Sequence, residues 1–177
     1  MSADADFDAL FRAHAGAVHA YALRRSEPAM AEDVVADTFL VCWRRLDRVP
    51  DEPLPWLYGV ARRCLANRMR AERRQRERQR SARALAVDVP PGTVEVFEQR
   101  ARSREVLVAL AQLPPREREA LQLCAWEGLR PSDAALAAGC SGATFRVRLH
   151  RARRRMAALL DAPPDPMPGL QPGEDAL

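Results

Sequence analysis

Six arginines and no acidic residue lie between Gly142 and Met156 of this chain. An arginine side chain carries a permanent positive charge and a planar set of donors, which suits it to bind phosphate groups and guanine edges. A solvated basic helix is the alternative interpretation of such a run, although most surface helices mix charges of both signs. The pattern favours a surface that binds nucleic acid.

A helix-turn-helix motif between Gly128 and Arg155 would position these arginines. Pro131 can begin its first helix, Gly139 permits a sharp turn, and the Ser141 hydroxyl can cap the second helix. At about 100° per residue, the second helix would bury one apolar stripe, formed by Phe145, Leu149, Ala152 and Met156. Its outward face would carry Val147, His150, Arg151 and Arg154, flanked by Arg146.

The 177 residues of the chain suffice for one large domain or two small ones. The net charge is +4 and all 28 basic residues are arginine, a bias that suits phosphate contacts and that a GC-rich genome would also produce. No apolar run reaches the roughly 18 residues of a membrane span, and the N-terminus is acidic rather than signal-like. We therefore expect a cytoplasmic protein.

Neither a metal site nor a bound cofactor is expected. The cysteines lack the paired spacing of metal ligands or of a disulfide framework, and they are best explained as small buried residues: Cys42, Cys64, Cys124 and Cys140. The histidines show no ligand spacing either. Paired carboxylates, an activated nucleophile and a phosphate-cradling glycine loop do not stand out, so an enzyme is the least favoured class.

Helical periodicity dominates the chain, which predicts an all-α fold. We expect a first helix from Phe7 to about Arg25, a break at Pro28 and a second helix from about Ala31 to Arg45. A proline-rich loop, Leu46–Pro55, would precede a third helix that begins near Trp56. The predicted organisation is a first helical domain (5–75), a charged flexible linker (76–93), a second helical domain (94–161) and a disordered proline-rich tail (162–177).

The helix Ala31–Arg45 combines an ordinary core stripe with an unusual outward face. Asp33, Asp37, Leu40 and Trp43 share that face. Exposed aromatic and aliphatic side chains beside charged ones are typical of protein interfaces. The alternative is that Trp43 packs against a neighbouring helix of its own domain.

The helix after Trp56 presents arginines opposite its apolar side, namely Arg62, Arg63 and Arg70. Gly59 lies on the same side and would let another backbone approach closely. This face fits a DNA strand, and the proline-rich loop before it fits an unstacked base. A solvated arginine face is again the alternative.

Three segments together resemble the extracytoplasmic-function (ECF) group of the sigma-70 family of bacterial RNA polymerase sigma factors: AEDVVADTFLVCWRRL, PWLYGVARRCLANRMRAERR and LPPREREALQLCAWEGLRPSDAALAAGCSGATFRVRLHRARRRM. The resemblance covers about residues 5–75 and 94–161. It implies a sigma-2-like and a sigma-4-like helical domain joined by a flexible linker. Such a protein binds core polymerase, recognises the −10 and −35 promoter elements and promotes strand opening without catalysis of its own.

The resemblance also implies partners and residue roles. Docking on the clamp helices of the polymerase β′ subunit would use Asp33, Asp37, Leu40 and Trp43. Reading and melting of the −10 element would use Trp56, Arg62, Arg63, Asn67 and Arg70. The base edges of the −35 element would meet Arg146, Val147, His150 and Arg151, and Arg154 would also bind the DNA there. Further implied partners are the polymerase β flap and, as in many relatives, an anti-sigma factor.

Some positions depart from the family pattern. Ala36 and Arg63 stand where relatives often have Gln and Asn, and Val147 stands where they often have Ser. Valine can touch a thymine methyl group but cannot donate a hydrogen bond. The base preference implied by the resemblance is therefore altered at Val147.

Two other protein classes share part of these features. The segment LPPREREALQLCAWEGL also resembles the output domain of LuxR-type regulators, but the first 90 residues show no strands for an input domain. An adaptor that only binds polymerase, in the manner of an anti-sigma factor, would not need the arginine face of the last helix.

Overall fold

The computed structural model describes residues 3–82 and 99–161, with side chains described for 4–78 and 104–161. These ranges contain α-helices and one 3-10 turn and no β-strand, so the prediction of an all-α fold is confirmed. The predicted tail (162–177) and residues 83–93 of the predicted linker lie outside the described residues. The elements in chain order are α1 (Ala3–Leu23), α2 (Pro28–Trp43), the 3-10 turn (Leu46–Arg48), α3 (Pro53–Ala82), α4 (Gln99–Gln112), α5 (Pro115–Ala125), α6 (Pro131–Ala138) and α7 (Gly142–Asp161).

Two prolines of the first half begin helices where the sequence suggested a break or a loop. Pro28 is the first residue of α2. Helix α3 begins at Pro53 rather than near Trp56, which places Pro55 within its first turn. Both corrections have the same reason. The N–H groups of a first helical turn have no intrahelical acceptor, so proline loses no hydrogen bond there and its fixed φ suits the helix.

Helices α1, α2 and α3 form the first unit and bury a shared apolar core. Its buried side chains come from all three helices: Val18, Tyr21, Val34, Phe39, Cys42, Leu57 and Ala61. The core stripe expected on α2 is therefore confirmed. The Thr38 hydroxyl, also buried there, donates to the Val34 carbonyl at 2.6 Å, so no polar atom of that side chain lacks a partner. Helix α3 continues to Ala82, so residues 76–82 of the predicted linker are helical.

Helices α4 to α7 form the second unit, which contains the helix-turn-helix. Pro115 is the first residue of α5, and Pro131 is the first residue of α6, as the sequence indicated for Pro131. Helix α6 buries four alanines, which permit close packing of its neighbours: Ala134, Ala135, Ala137 and Ala138. Gly139 ends α6 with φ of 64°, a left-handed conformation that favours glycine.

The two units pack directly against each other. Helix α6 lies on α3, and one apolar core runs from the first unit into the second. Leu57 and Tyr58 of α3 belong to the same buried cluster as Ala134 and Ala137 of α6. None of the described helices is long and apolar enough to cross a membrane.

Candidate nucleic-acid and partner interfaces

Helix α7 has the two-sided character that its sequence predicts. The Ser141 hydroxyl accepts a hydrogen bond from the Thr144 backbone N–H at 3.2 Å, which caps the helix. Phe145, Leu149 and Ala152 are buried and Met156 is partly buried, so the predicted apolar stripe is confirmed. The five candidate DNA-contacting side chains of α7 are all exposed: Arg146, Val147, His150, Arg151 and Arg154.

One arginine of α7 has an internal partner that the sequence did not reveal. The Arg155 guanidinium lies 3.2 Å from the carboxylate of Glu117, a mostly buried residue of α5. This ion pair links the last turns of α7 to the first turn of α5. Arg155 is therefore a structural residue of the second unit in this arrangement.

The outward face of α2 exposes both of its large apolar side chains, Leu40 at 47% and Trp43 at 45%. Trp43 also packs against α1, where its ring meets that of Phe7 edge-on with centroids 5.0 Å apart. Phe39 meets the same Phe7 ring from within the core. The structure thus combines the two interpretations of Trp43. One edge packs on a neighbouring helix, and the rest faces outward beside Leu40.

Arg68 of α3 bridges the two carboxylates of that same face. Its guanidinium donates to Asp37 at 2.6 Å and to Asp33 at 2.5 Å. The hydrogen bond to Asp37 raises the pKa of Arg68 further above its ordinary value, so the guanidinium stays charged at physiological pH. The sequence did not reveal this bridge, because Arg68 lies 31 positions after Asp37 and no helical period connects the two residues.

The basic face of α3 is only partly open. Arg63, Asn67 and Arg70 are exposed, and Arg70 donates to the Asn67 side-chain oxygen at 2.6 Å. Arg62, in contrast, donates to both carboxylate oxygens of Glu119 from α5, one of them at 3.2 Å. That hydrogen-bonded pair raises the pKa of Arg62 above its ordinary value. Four of the five predicted −10 residues therefore lie on one face of α3. One of them, Arg62, is already paired with a carboxylate of the second unit.

The fifth residue, Trp56, lies in a cleft between the two units. The cleft has a volume of about 570 Å³, and Trp56 is half-buried in its wall. Arg48, Arg63 and Leu136 also line it. Because the 3-10 turn and the start of α3 form one wall and α6 forms the other, the size of this cleft depends on how the units pack.

Two arginines that follow the end of α1 form a further contact between the units. The Glu127 side chain is fully buried and accepts hydrogen bonds from Arg24 and from Arg25, the latter at 2.8 Å. The Arg25 guanidinium also stacks on the Tyr21 ring, 3.8 Å from its centroid. Burial raises the pKa of the Tyr21 hydroxyl to about 12.

Comparison with known proteins assigns the chain to a family. Residues 10–75 match the family model of sigma-70 region 2, and residues 103–156 match that of sigma-70 region 4. The ECF RNA polymerase sigma factor EcfG of Rhodopseudomonas palustris is 33% identical over 132 residues, which are 73% of this chain and 71% of the relative. RNA polymerase sigma factor NccH of Alcaligenes xylosoxydans is 30% identical over 161 residues, 85% of this chain and 82% of that protein.

A solved structure agrees with this assignment. The sigma factor RpoE of Bartonella quintana, in complex with the anti-sigma factor NepR, has a TM-score of 0.64 and 27% identity, covering 88% of this chain and 96% of that chain. The fold and the two matched regions define an RNA polymerase sigma factor with a region 2 unit and a region 4 unit. The chain belongs to the ECF group of the sigma-70 family. The region 2 match occupies the part where a LuxR-type regulator would need an input domain, so that alternative is not favoured.

Proposed function

We propose that this sigma factor reads the −35 element with α7, contacts the −10 element with α3 and the segment before it, and docks on polymerase with α2. It forms and breaks no covalent bond, and its binding energy places polymerase at a promoter and favours strand opening. The observation that carries the proposal is the two-sided α7. Its apolar stripe is buried, and the five candidate DNA-contacting side chains all face outward.

At the −35 element, the chemistry of α7 suits a mixed set of base edges. Arg146 and Arg151 can each bind one guanine through its O6 and N7 atoms. Val147 is half-exposed and suits contact with the methyl group of thymine. His150 can donate or accept on a base edge according to its tautomer. Arg154 completes the outward face, and its guanidinium would bind the DNA backbone phosphates.

At the −10 element, the exposed side chains of α3 suit the backbone of a single strand. Arg63 and Arg70 supply phosphate contacts, and Asn67 supplies a polar group between them. Trp56, at the wall of the cleft, offers a ring on which an unstacked base can stack. Arg62 would join them once it is released from Glu119.

At the polymerase, the α2 face combines an apolar centre of Leu40 and Trp43 with a rim of Asp33 and Asp37. Buried aromatic anchors with charged surroundings are typical of the residues that dominate binding energy. The basic residues of a polymerase partner would compete with Arg68 for both carboxylates. The sigma-4-like unit would in turn meet the polymerase β flap.

An anti-sigma factor is a further proposed partner, because the related Bartonella quintana protein was solved in complex with one. A partner that covers α2 or α7 would keep this chain from promoters. The proposed location of the chain is the cytoplasm, because bacterial RNA polymerase and promoter DNA are there.

The central experiment is transcription in vitro with core polymerase, the purified chain and genomic DNA, followed by sequencing of the transcript starts. We expect starts that share one −35 and one −10 sequence and that disappear without the chain. Core polymerase that yields the same starts with and without the chain would overturn the proposal.

The proposed docking role of α2 predicts a loss of polymerase affinity without a loss of DNA affinity. Replacing Trp43 with Ala together with Asp37→Asn should weaken binding to core polymerase about tenfold or more, because a central aromatic anchor and its charged neighbour are removed. Fluorescence anisotropy with labelled protein measures this affinity, and affinity for −35 duplex DNA should stay unchanged. Asp51→Asn, an exposed carboxylate away from α2, is the matched control. Equal polymerase affinity in all three proteins would remove α2 from the docking surface.

A further inference from the structure

Two carboxylates of the α2 face share one guanidinium group. Asp33 and Asp37 lie about one helical turn apart, a spacing at which like charges repel each other. Arg68 of α3 offsets this repulsion, because its Nη1 donates to Asp33 Oδ2 at 2.5 Å and its Nε donates to Asp37 Oδ2 at 2.6 Å. The three groups therefore form one connected cluster that spans two helices.

The core of the first unit fixes the backbone on both sides of this cluster. The residues that directly follow the two aspartates, Val34 and Thr38, are fully buried. On α3, Leu65 is buried almost one turn before Arg68. Packing thus holds the Cα atoms of all three charged residues, and the remaining freedom lies in the side-chain torsions. The two ion pairs restrict those torsions for both carboxylates.

The bridge leaves half of the carboxylate oxygens for another molecule. Arg68 binds only the Oδ2 atom of each aspartate, and no hydrogen bond from a described residue reaches either Oδ1 atom. Both side chains stay accessible, Asp33 at 59% and Asp37 at 39%. A carboxylate has about four acceptor sites. Competition between a basic partner and Arg68 therefore does not require that Arg68 be displaced.

Folding stability is a weak reason for this arrangement. The Arg68 side chain is 33% exposed, and ion pairs at exposed positions contribute little to the free energy of unfolding. The cluster instead adjoins the apolar part of the same face, since Leu40 and Trp43 follow Asp37 along α2 and are exposed. Ordered acceptors beside an apolar patch suit a partner surface that carries basic side chains next to apolar ones.

We propose that Arg68 is a positioning residue of this face, whose planar donors hold the two aspartates in the orientation that accepts basic side chains of polymerase. This inference rests on the proposed function, because it takes α2 as the docking helix. Arg68 acts through the aspartates and does not itself contact polymerase. It also sets the charge of the face. The cluster carries one net negative charge, so one basic group of polymerase neutralises it.

The first test removes the bridge and measures both rate constants of binding to immobilised core polymerase by surface plasmon resonance. Arg68→Gln frees both aspartates and makes the face more negative, so association should become faster at low salt and more dependent on salt. Dissociation should become about threefold faster or more, because two side chains must then be ordered on binding. Arg76→Gln, which loses an exposed pair with Glu72 on the same helix, is the matched control.

Two results of this first test would overturn the proposal. Slower dissociation of Arg68→Gln would mean that the guanidinium blocks the carboxylates, and wild-type rate constants would mean that it only ties two helices together. Circular dichroism and the affinity for −35 duplex DNA should be the same in all proteins, which separates positioning from unfolding.

A milder variant separates charge from geometry. Arg68→Lys keeps the charge but lacks the planar set of donors. It should show the salt dependence of the wild type and should still dissociate faster. If Arg68→Gln is unfolded, this variant carries the test, and dissociation as slow as that of the wild type would overturn the proposal.

The second test asks whether Arg68 acts through the aspartates, at physiological salt, where long-range attraction is screened. Asp33→Asn together with Asp37→Asn removes the groups that Arg68 positions. Adding Arg68→Gln to this double variant should change the polymerase affinity less than about twofold, although the same change weakens the wild type several-fold. An equal loss in both backgrounds would make Arg68 a direct polymerase contact and overturn its positioning role.

Trp43→Ala, measured in parallel, separates this inference from the proposed function. If Trp43→Ala weakens polymerase binding and Arg68→Gln does not, α2 docks on polymerase and Arg68 does not position its carboxylates. If neither variant weakens the binding, α2 is not the docking helix, and the proposed function fails at this surface.

Discussion

The arginine-rich faces of α3 and α7 are similar in sequence and differ in the structure. On α3, Arg62 and Arg68 are held by carboxylates from α5 and α2. On the outward face of α7, no ion pair with a described residue reaches Arg146 or Arg151. The number of arginines in a basic run therefore does not by itself determine how many can bind DNA phosphates. An arginine paired with a carboxylate from elsewhere in the chain must break that ion pair before it can bind a phosphate.

The largest expected effect concerns how α7 is held. Phe145→Ala empties a fully buried site and should lower the free energy of unfolding by about 3–5 kcal/mol. Urea denaturation measures this, and −35 duplex binding should fall with it because the stripe orients the outward face. Phe11→Ala is the control, since that ring is 41% exposed and should cost far less. Equal losses for both variants would contradict the view that buried packing of α7 positions its arginines.

The next effect concerns the α3 side, where Tyr21 packs against Tyr58 near the Glu127 cluster. Burial raises the pKa of Tyr21 from 10.0 to about 12. The unfolded chain therefore releases this proton at lower pH than the folded one. The stability contribution is complete below pH 10 and is lost as pH rises from 10 to 12, by about 2–3 kcal/mol.

Denaturation curves across that pH interval measure the loss, and tyrosinate absorbance reports the titration. Tyr21→Phe keeps the ring beneath Arg25 and should show a shallower decline. An identical decline in the two proteins would assign the pH dependence to other groups.

A smaller effect separates base recognition from phosphate contact on α7. Arg151→Ala should cost about 1–3 kcal/mol of binding on the preferred −35 site and much less on unrelated duplexes. Arg153→Ala, exposed on the flank, should weaken binding to all duplexes alike. Anisotropy titrations at one fixed salt concentration make the comparison. A uniform loss for Arg151→Ala would make it a phosphate contact.

The smallest effect concerns the N-terminal cap of α7. Ser141→Ala removes the cap on the Thr144 N–H and should lower stability by about 1 kcal/mol. Ser132→Ala is the control, because that hydroxyl donates to the Asp133 carboxylate rather than accepting a hydrogen bond from a backbone N–H. Thermal unfolding of the two variants gives the comparison, and equal midpoints would mean that the cap contributes little.

The local features of α7 could be predicted from the sequence because each depends on neighbours a few residues apart. The stripe of Phe145 and Leu149 follows from helical periodicity, the Ser141 cap from a side chain beside a first turn, and the Gly139 turn from backbone freedom. The same rules misplaced the starts of α2 and α3. A proline can end one helix or begin the next, and local sequence does not separate the two at Pro28 and Pro53.

The ion pairs that distinguish the two faces could not be predicted. Arg62 and Glu119 are 57 positions apart, and Arg68 and Asp37 are 31 apart. No periodic pattern connects residues at such separations, and any of the many arginines was an equally good candidate for each carboxylate. Packing of α2 on α3 selects the Arg68–Asp37 pair, and packing of the second unit on α3 selects the Arg62–Glu119 pair. Both depend on how the whole chain folds.

The contact over Gly59 makes the packing of the two units sensitive to the size of a single side chain. An Ala there would meet α6 at ordinary contact distance, whereas Val or Leu would push the two helices apart. A series of larger side chains at this one position would therefore loosen the packing of α6 on α3 in steps, while the exposed residues of α7 stay unchanged.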